Sequence, residues 1–217
     1  MKTQKEKLKE LKNTHRKKRS EILKSLESFR KNLDSEKNIL CELIFCLLTP
    51  QSKAKSCWEA VLELNNKNLI RKNAPRNDIS QILQKKTRFH NNKAQYIKNV
   101  LLLFNSENLN LKNIITDMKS EFELRKWLVK NIKGLGLKEA GHFLRNIGLG
   151  ADLAILDRHI LKNLLALGVI SEIPKTLTEK IYLETEEKMR QFCKKADIPM
   201  THIDLLFWSN ETGEIFK

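Results

Sequence analysis

The sequence predicts an all-α fold, and three observations lead to this class. Only 7 of the 217 residues are glycine and 4 are proline, so few positions interrupt a regular helix. Apolar residues recur at intervals of three and four, and no stretch alternates apolar and polar residues as a half-buried strand does. The chain is also long enough to bury a core, either as one compact domain or as two small lobes.

The first third of the chain is predicted to hold two helices. Residues 1–19 are crowded with Lys and Arg, and we interpret them as a solvated, frayed helix start, with a loose basic arm for phosphates as the alternative. An apolar helical stripe then runs from Ile22 to Leu33. The next helix, over residues 35–48, is apolar nearly all round, so we expect it at the centre of the core. Pro50 limits its end.

Shorter helices are predicted in the middle of the chain. The polar link 49–53 leads into a helix that carries Trp58 and Val61. Asp78 is predicted to N-cap a helix over residues 79–83. The polar and basic loop 87–92 opens the following helix, and a short helix is expected over residues 111–118.

The last third is predicted to begin with a helix over residues 122–129. A second helix runs to the stop Gly148-Leu149-Gly150. Asp157 precedes a further apolar-periodic segment, so it is expected at a helix N-terminus. Thr176 or Thr178 is expected to start the next helix, and Pro199 opens the last one.

The predicted helices can be divided into two lobes of a single unit over residues 1–217. The chain is expected to cross between them near Lys37 and near Met118. Lobe A then comprises roughly residues 1–36 and 119–217, and lobe B roughly residues 37–118.

The charge of the chain predicts a polyanionic partner. The formal net charge is +15 and the pI is about 9.7, which favours nucleic acid over a membrane surface. No run of about 18 apolar residues exists, and the start M-K-T-Q-K-E-K has no apolar stretch like that of a secretion signal. We therefore expect a cytoplasmic, nucleoid-associated protein that does not bind a membrane.

Cysteine and histidine spacing predicts neither a metal nor a cofactor. The cysteines do not cluster as metal ligands, and we expect free, mostly buried thiols in a reducing compartment. The four positions are Cys41, Cys46, Cys57 and Cys193.

The most informative stretch is residues 131–146, N-I-K-G-L-G-L-K-E-A-G-H-F-L-R-N. Gly134 and Gly136 lie in a short pause between two apolar-periodic segments, which is the pattern of a helix-hairpin-helix. Such glycines allow a positive φ, and the amides at the following helix start suit a phosphate. Lys138 lies just inside that helix start, where a cation is disfavoured and a neutral, nucleophilic amine is favoured. A DNA-binding hairpin, a catalytic hairpin and a plain helix–helix corner all remain open.

Gln51 and Phe89 each have two interpretations. Gln51 is either a turn or cap residue, or a polar finger that enters a duplex. Phe89 is either packed down on its loop or a wedge that stacks beside a base.

Taken together, these segments resemble the helix-hairpin-helix DNA glycosylase superfamily over about residues 35–208. The hairpin followed by Asp157 is the most specific match, and the segments 47–52 and 91–97 match in order. The length and the ending D-L-L-F-W-S-N-E-T-G-E-I-F-K are similar to the short, archaeal-type 8-oxoguanine DNA glycosylase/lyase branch. The proline usually found between hairpin and aspartate is missing, as are the four iron–sulfur cysteines of the endonuclease-like branch.

The resemblance implies a two-lobed glycosylase architecture with the hairpin at residues 124–147. It also implies a monomeric base-excision repair enzyme, without a cofactor, that removes 8-oxoguanine from double-stranded DNA and has AP lyase activity. Lys138 would attack C1′ and form a Schiff base that permits β-elimination. Asp157 would stabilise the positive charge that develops at C1′.

The resemblance also assigns DNA contacts. Gly134 and Gly136 would hold a phosphate, Gln51 would fill the space of the flipped base, and Phe89 would wedge beside the opposite base. The base pocket would be completed by two residues near the end of the chain, Trp208 and Lys217 with its terminal carboxylate.

Two other classes remain open at this point. A non-enzymatic helix-hairpin-helix module that only binds DNA explains the charge and the hairpin, but it gives Lys138 and Asp157 no joint role. A monofunctional glycosylase for alkylated bases is disfavoured because that branch usually lacks the hairpin lysine.

Overall fold

The computed structural model describes residues 3–71, 74–104 and 110–217, without the side chains of residues 211–212. Within these ranges the chain is helical, as predicted, and no strand is present. The helices are α1 Gln4–Arg30, α2 Glu36–Leu48, α3 Ala54–Asn66, α4 Arg76–Gln84, α5 His90–Phe104, α6 Leu111–Asp117, α7 Glu121–Asn131, α8 Leu137–Asn146, α9 Arg158–Ala166, α10 Glu179–Ala196 and α11 Met200–Thr212.

The basic N-terminal segment is helical from Gln4 and mostly exposed, which confirms the solvated helix start rather than a loose arm, but this start is capped rather than frayed. Thr3 and Glu6 form a capping box, in which the Thr3 side chain accepts from the Glu6 amide and Glu6 accepts from the Thr3 amide at 2.7 Å. These bonds satisfy amide donors that a helix start would otherwise leave unpaired. α1 therefore runs unbroken to Arg30.

α2 lies at the centre of the core, as the sequence predicts. Leu43, Ile44 and Phe45 are fully buried, and the helix ends at Leu48, two residues before Pro50. This position lets one helix pack against both the middle of the chain and the hairpin.

Two predicted helix starts need correction, whereas the start at Thr178 is confirmed. Asp78 is not an N-cap, because α4 begins at Arg76 after Pro75 and places Asp78 in its first turn. A carboxylate there is stabilised by the helix dipole, which gives the same sequence signal. α5 begins at His90, inside the predicted loop. Thr178 caps α10, in agreement with one of the two predicted positions.

The buried apolar side chains form two clusters. Cluster one contains residues from Ile39 to Leu153 and includes the hairpin helices α7 and α8. Cluster two combines α1 with residues 154–207. Although the sequence assigns the hairpin to lobe A, its buried side chains pack in cluster one with those of α2. These clusters do not by themselves define lobes, so the lobe bounds stay a prediction.

None of the helices in the described part of the chain is long and apolar enough to cross a membrane.

Candidate active site

The hairpin is built on a glycine turn between α7 and α8. Gly134 has φ +96°, and a Cβ at this position would lie 2.5 Å from the Tyr96 ring. Glycine is therefore required both for the conformation and for the close approach. Gly136 is the N-cap of α8 and supplies no side-chain cap, so the amides of the first turn are not closed by that residue.

Lys138 lies in the first turn of α8. Its side chain is 24% exposed, and its Nζ lies 3.6 Å from the Glu139 carboxylate. Glu139 was not singled out in the sequence, although it stands beside the lysine. The amine is therefore held close to the hairpin rather than extended into solvent.

Asp157 is the N-cap of α9, which confirms the prediction that it stands at a helix N-terminus. Its Oδ1 accepts the amides of His159 and Ile160, both at 2.8 Å. These two hydrogen bonds fix the rotamer of the carboxylate.

The loop before Asp157 is fixed from α10. The Tyr182 hydroxyl donates to the Ala154 carbonyl at 2.6 Å and accepts the Leu156 amide at 3.3 Å. Glu186 accepts the Ala154 amide at 2.7 Å and is itself held by Arg125 of α7 at 2.9 Å. These buried contacts position Asp157 relative to the hairpin without a proline in the loop.

Lys138, Asp157 and Trp208 line one cavity of about 190 Å³. Its other walls come from the start of α3 and the turn before it, from α8 and from α11. The structure thus brings together a nucleophile candidate, a carboxylate and an aromatic face from three separate parts of the sequence. A nucleophile and a carboxylate on one cavity are the residue types that attack at a carbon atom with developing positive charge uses.

A larger groove of about 860 Å³ opens on another side of Lys138, between α7 and α10. It is mainly apolar, and among the described residues its lining does not include Asp157 or Trp208. Of these two cavities, only the smaller one is lined by both Lys138 and Asp157.

Sequence reasoning missed three buried polar residues of the small cavity. His142 and Arg145 follow Lys138 by one and two turns on the same face of α8, and Asp204 precedes Trp208 by one turn on α11. Burial raises the pKa of Asp204 to about 6, against the opposing charge of Arg145. Helical spacing from Lys138 could have indicated His142 and Arg145, whereas nothing local pointed to Asp204.

Gln51 and Phe89 stand at the tips of two neighbouring turns, outside the cavity lining. Gln51 has φ +54° and Phe89 has φ +57°, an uncommon conformation for residues other than glycine. Gln51 is exposed, and the Phe89 side chain is 53% exposed. Phe89 is therefore not packed down on its loop.

The chain end at Lys217 lies beside the cavity rather than in its lining. The Lys217 ammonium pairs with buried Glu42 and lies 3.4 Å from the centre of the Trp58 ring. Phe45 contacts both Phe216 and His142 edge-on, so the tail and the cavity share a wall. Trp208 instead packs beside His159 at 5.3 Å.

Among the described residues, no group of three or more His, Cys, Asp or Glu side chains is arranged to hold a metal. The four cysteines are free, and three of them are buried. Burial raises the pKa of Cys41 and Cys57 to about 11, which keeps both as neutral thiols.

The sequence model of the 8-oxoguanine DNA glycosylase family matches residues 5–198. A Fusobacterium nucleatum protein named 8-oxoguanine DNA glycosylase/AP lyase is 46% identical over 198 residues, which are 91% of this chain and 90% of that protein.

Two crystal structures are also similar. The 8-oxoguanine DNA glycosylase of Thermotoga maritima has a TM-score of 0.86 at 31% identity, over 99% of this chain and 100% of that chain. The 8-oxoguanine glycosylase/lyase of Methanocaldococcus jannaschii, in complex with 15mer DNA containing 8-oxoguanine, has a TM-score of 0.84 at 35% identity, over 98% of each chain.

Proposed function

Since the chain belongs to the 8-oxoguanine DNA glycosylase family, we propose that Lys138 and Asp157 carry out its reaction in the small cavity. The chain has the activity of this family: it removes 8-oxoguanine from DNA and cleaves the strand at the resulting abasic site. The observation that carries the assignment of residues is that Lys138, Asp157 and Trp208 line one cavity.

Lys138 is the nucleophile of the proposed mechanism. Its neutral Nζ attacks C1′, the C1′–N9 bond breaks, and the electron pair leaves with the base, which is protonated. Opening of the sugar ring gives a Schiff base between Lys138 and C1′. That positively charged imine acidifies the C2′ proton, and its loss breaks the C3′–O bond by β-elimination.

Asp157 supports the first step electrostatically. Positive charge develops at C1′ while the base departs, and a carboxylate fixed by two amides can stabilise it without reorganising. The contacts from Tyr182 and Glu186 hold the loop that places this carboxylate.

The hairpin turn and the two strained turns are proposed to bind the duplex. The uncapped first turn of α8 at Gly136, next to the close turn at Gly134, offers amides to one phosphate of the damaged strand. Gln51 occupies the place of the extruded nucleotide, and Phe89 stacks beside the opposite base. Their exposure at the tips of adjacent turns supports this role.

Trp208 and Lys217 are proposed to form two sides of the base pocket. Trp208 is half-buried in the cavity lining and offers a ring face. The tail is held next to this lining, because Phe216 and His142 both contact the Phe45 ring. A single chain supplies every residue of this proposal, so we propose a monomer. Because its substrate is DNA, we propose that it acts in the cytoplasm, at the nucleoid.

Borohydride trapping tests the proposed lysine. The protein is incubated with a duplex that carries one 8-oxoguanine opposite cytosine, and borohydride then reduces any Schiff base to a stable adduct. We expect a covalent adduct with the wild type and none with Lys138→Gln. Lys133→Gln removes the same charge from the same hairpin outside the cavity, and it should still form the adduct.

The other outcomes identify the alternatives. Base release without trapping would indicate a monofunctional glycosylase, and duplex binding without release would indicate a DNA-binding module. An adduct that persists in Lys138→Gln would assign the Schiff base to another amine.

A further inference from the structure

We propose that His142 is a specificity-determining residue that hydrogen-bonds the extruded base in the cavity of Lys138 and Asp157. The inference rests on the proposed function, because it requires that the cavity receives a base. It adds a hydrogen bond to the base itself, which neither the hairpin nor Asp157 provides.

The position of His142 follows from α8. It comes four residues after Lys138, so both side chains lie on the same face of the helix, and both line the cavity. The His142 ring is 5% exposed and packs edge-on against Phe45, with ring centres 5.5 Å apart. The imidazole is therefore held in one place and does not sample solvent.

Neither ring nitrogen of His142 has a hydrogen-bond partner within the described part of the chain. Buried side-chain polar atoms are nearly always paired, so the two His142 nitrogens can bind a partner from outside the protein in this cavity. The same inner wall contains other unpaired atoms, the Nε and Nη1 of Arg145 and the Oδ2 of Asp204. Arg145 and Asp204 form an ion pair at 3.5 Å, but their hydrogen-bonding capacity is not used up.

The surroundings of His142 determine what it can bind. Burial lowers its pKa well below the ordinary value, and the charges of Arg145 and Lys138 act in the same direction. The nearby backbone of Lys217 acts in the opposite direction and raises the pKa of His142. The contact between this backbone and the imidazole does not meet the geometry of a hydrogen bond. The ring is therefore neutral at physiological pH and presents one donor and one acceptor.

A lactam matches such a ring. In a lactam a carbonyl oxygen stands beside an N–H, so the ring nitrogen that faces the base finds an acceptor if it carries the proton and a donor if it does not. 8-Oxoguanine carries two lactams, and either tautomer of His142 therefore finds a partner on its edge. Adenine has neither a carbonyl nor a ring N–H on its base-pairing edge, so it lacks this group and is disfavoured.

The test compares two substrates of the same enzyme under single-turnover conditions. One duplex carries 8-oxoguanine opposite cytosine, and the other carries a preformed abasic site, which has no base for His142 to bind. The measured quantity is the ratio of the base-excision rate to the abasic-site cleavage rate. We expect His142→Phe to lower this ratio by at least about tenfold, as expected when a hydrogen-bonded substrate group loses its partner in a buried site.

Further variants separate hydrogen bonding from packing. His142→Gln keeps a donor and an acceptor, and we expect it to recover a ratio within about threefold of the wild type. His142→Leu also removes the hydrogen-bonding nitrogens, but it has no aromatic ring, and we expect it to lower the ratio as His142→Phe does. The matched control is His202→Phe, because His202 is also buried but is paired with His15 at 2.9 Å and does not line the cavity. Its ratio should equal that of the wild type.

The outcomes distinguish this inference from the function on which it rests. An unchanged ratio in His142→Phe and His142→Leu overturns the inference, as does a parallel fall of both rates. A wild-type protein without either activity overturns the proposed function and the inference together.

Discussion

The ammonium group of Lys93 lies 2.9 Å from the hydroxyl of Ser52, and this contact joins the two turns that carry Gln51 and Phe89. Lys93 also donates to the Leu48 carbonyl at 2.7 Å and to the Pro50 carbonyl at 2.9 Å. The Ser52 hydroxyl in turn accepts the Arg88 amide at 3.0 Å.

One buried lysine thus stabilises two turns whose tips adopt unfavourable backbone conformations. A non-glycine residue at positive φ costs about 1–3 kcal/mol, and the contacts of Lys93 offset part of that cost.

Substitution of Lys93 by methionine tests this connection. The change leaves two carbonyls and one hydroxyl without their buried donor, so we expect a loss of about 2–4 kcal/mol in the free energy of unfolding. Weaker binding to an uncleavable duplex should accompany it, because the two turns are no longer held together. Urea denaturation and fluorescence anisotropy measure the two effects. Lys98→Met on the same helix is the control, and equal losses in both variants would contradict the connection.

Substitution of Gly134 by alanine should destabilise the hairpin by more than its backbone conformation explains. A methyl group there meets the Tyr96 ring at 2.5 Å, whereas Gly213, at φ +82°, has no neighbour within 4 Å. We expect Gly213→Ala to cost about 1 kcal/mol and Gly134→Ala at least about 2 kcal/mol, as measured by thermal unfolding. Similar costs at both positions would show that the Tyr96 contact is unimportant.

Asp204 predicts a pH dependence of stability. Its carboxyl has an ordinary pKa of 3.8 and a folded pKa of about 6, so the folded state keeps the proton longer than the unfolded state. The contribution of Asp204 to the free energy of unfolding is fully present below about pH 4 and is lost as the pH rises through about 6. The loss amounts to roughly 3 kcal/mol.

Asp204→Asn should remove this dependence. Chemical denaturation at pH 4 and pH 7 should show that the variant loses less stability than the wild type over that interval. Asp152→Asn, at an exposed position, controls for the general effect of one charge. A parallel pH dependence in wild type and Asp204→Asn would exclude Asp204 as the source.

Tyr182→Phe tests how the loop before Asp157 is held. The variant keeps the ring but loses the hydroxyl that bonds to Ala154 and Leu156. We expect about 1–3 kcal/mol of destabilisation and a lower kcat for base excision with little change in KM, because the loop positions the carboxylate rather than the DNA. A change confined to KM would contradict this role.

Deletion of Phe216 and Lys217 tests the tail as a side of the base pocket. We expect the preference for 8-oxoguanine over guanine to fall by at least about tenfold, because one wall of the pocket loses its support. Stability must be measured in parallel, since Glu42 is 1% exposed and loses the ammonium that it pairs with. Unchanged discrimination would show that the tail does not read the base.

The sequence predicted the parts of the site that depend on local chemistry. Gly134 and Asp157 have distinct signatures, because the positive φ of the turn requires glycine and a helix start favours an aspartate. Gly136 lies in the same turn at φ −96°, a conformation that other residues also adopt. The central position of α2 followed equally from its unbroken apolar composition.

The features that the sequence did not predict depend mostly on contacts between distant segments of the chain. Asp204 is an ordinary polar residue of a helix until α11 places it against Arg145, 59 residues earlier. The positive φ angles of Gln51 and Phe89 have no signal in residue type, and the hydrogen bonds that join the two turns come from Lys93 and Ser52. The start of α4 was misplaced because an aspartate in the first turn and an aspartate N-cap are favoured by the same electrostatics.

The composition of the two apolar clusters has a consequence for the order of events on the ribosome. The buried members of cluster one form a continuous stretch of chain, from Ile39 to Leu153. Cluster two instead packs Ile22 and Phe29 of α1 with side chains of α11 such as Phe207. Cluster one can therefore assemble during synthesis, while α1 has its contacts with α8 but not those with α11 until the ribosome has released α11. A nascent chain that ends near residue 153 should resist protease within cluster one and be cut in α1.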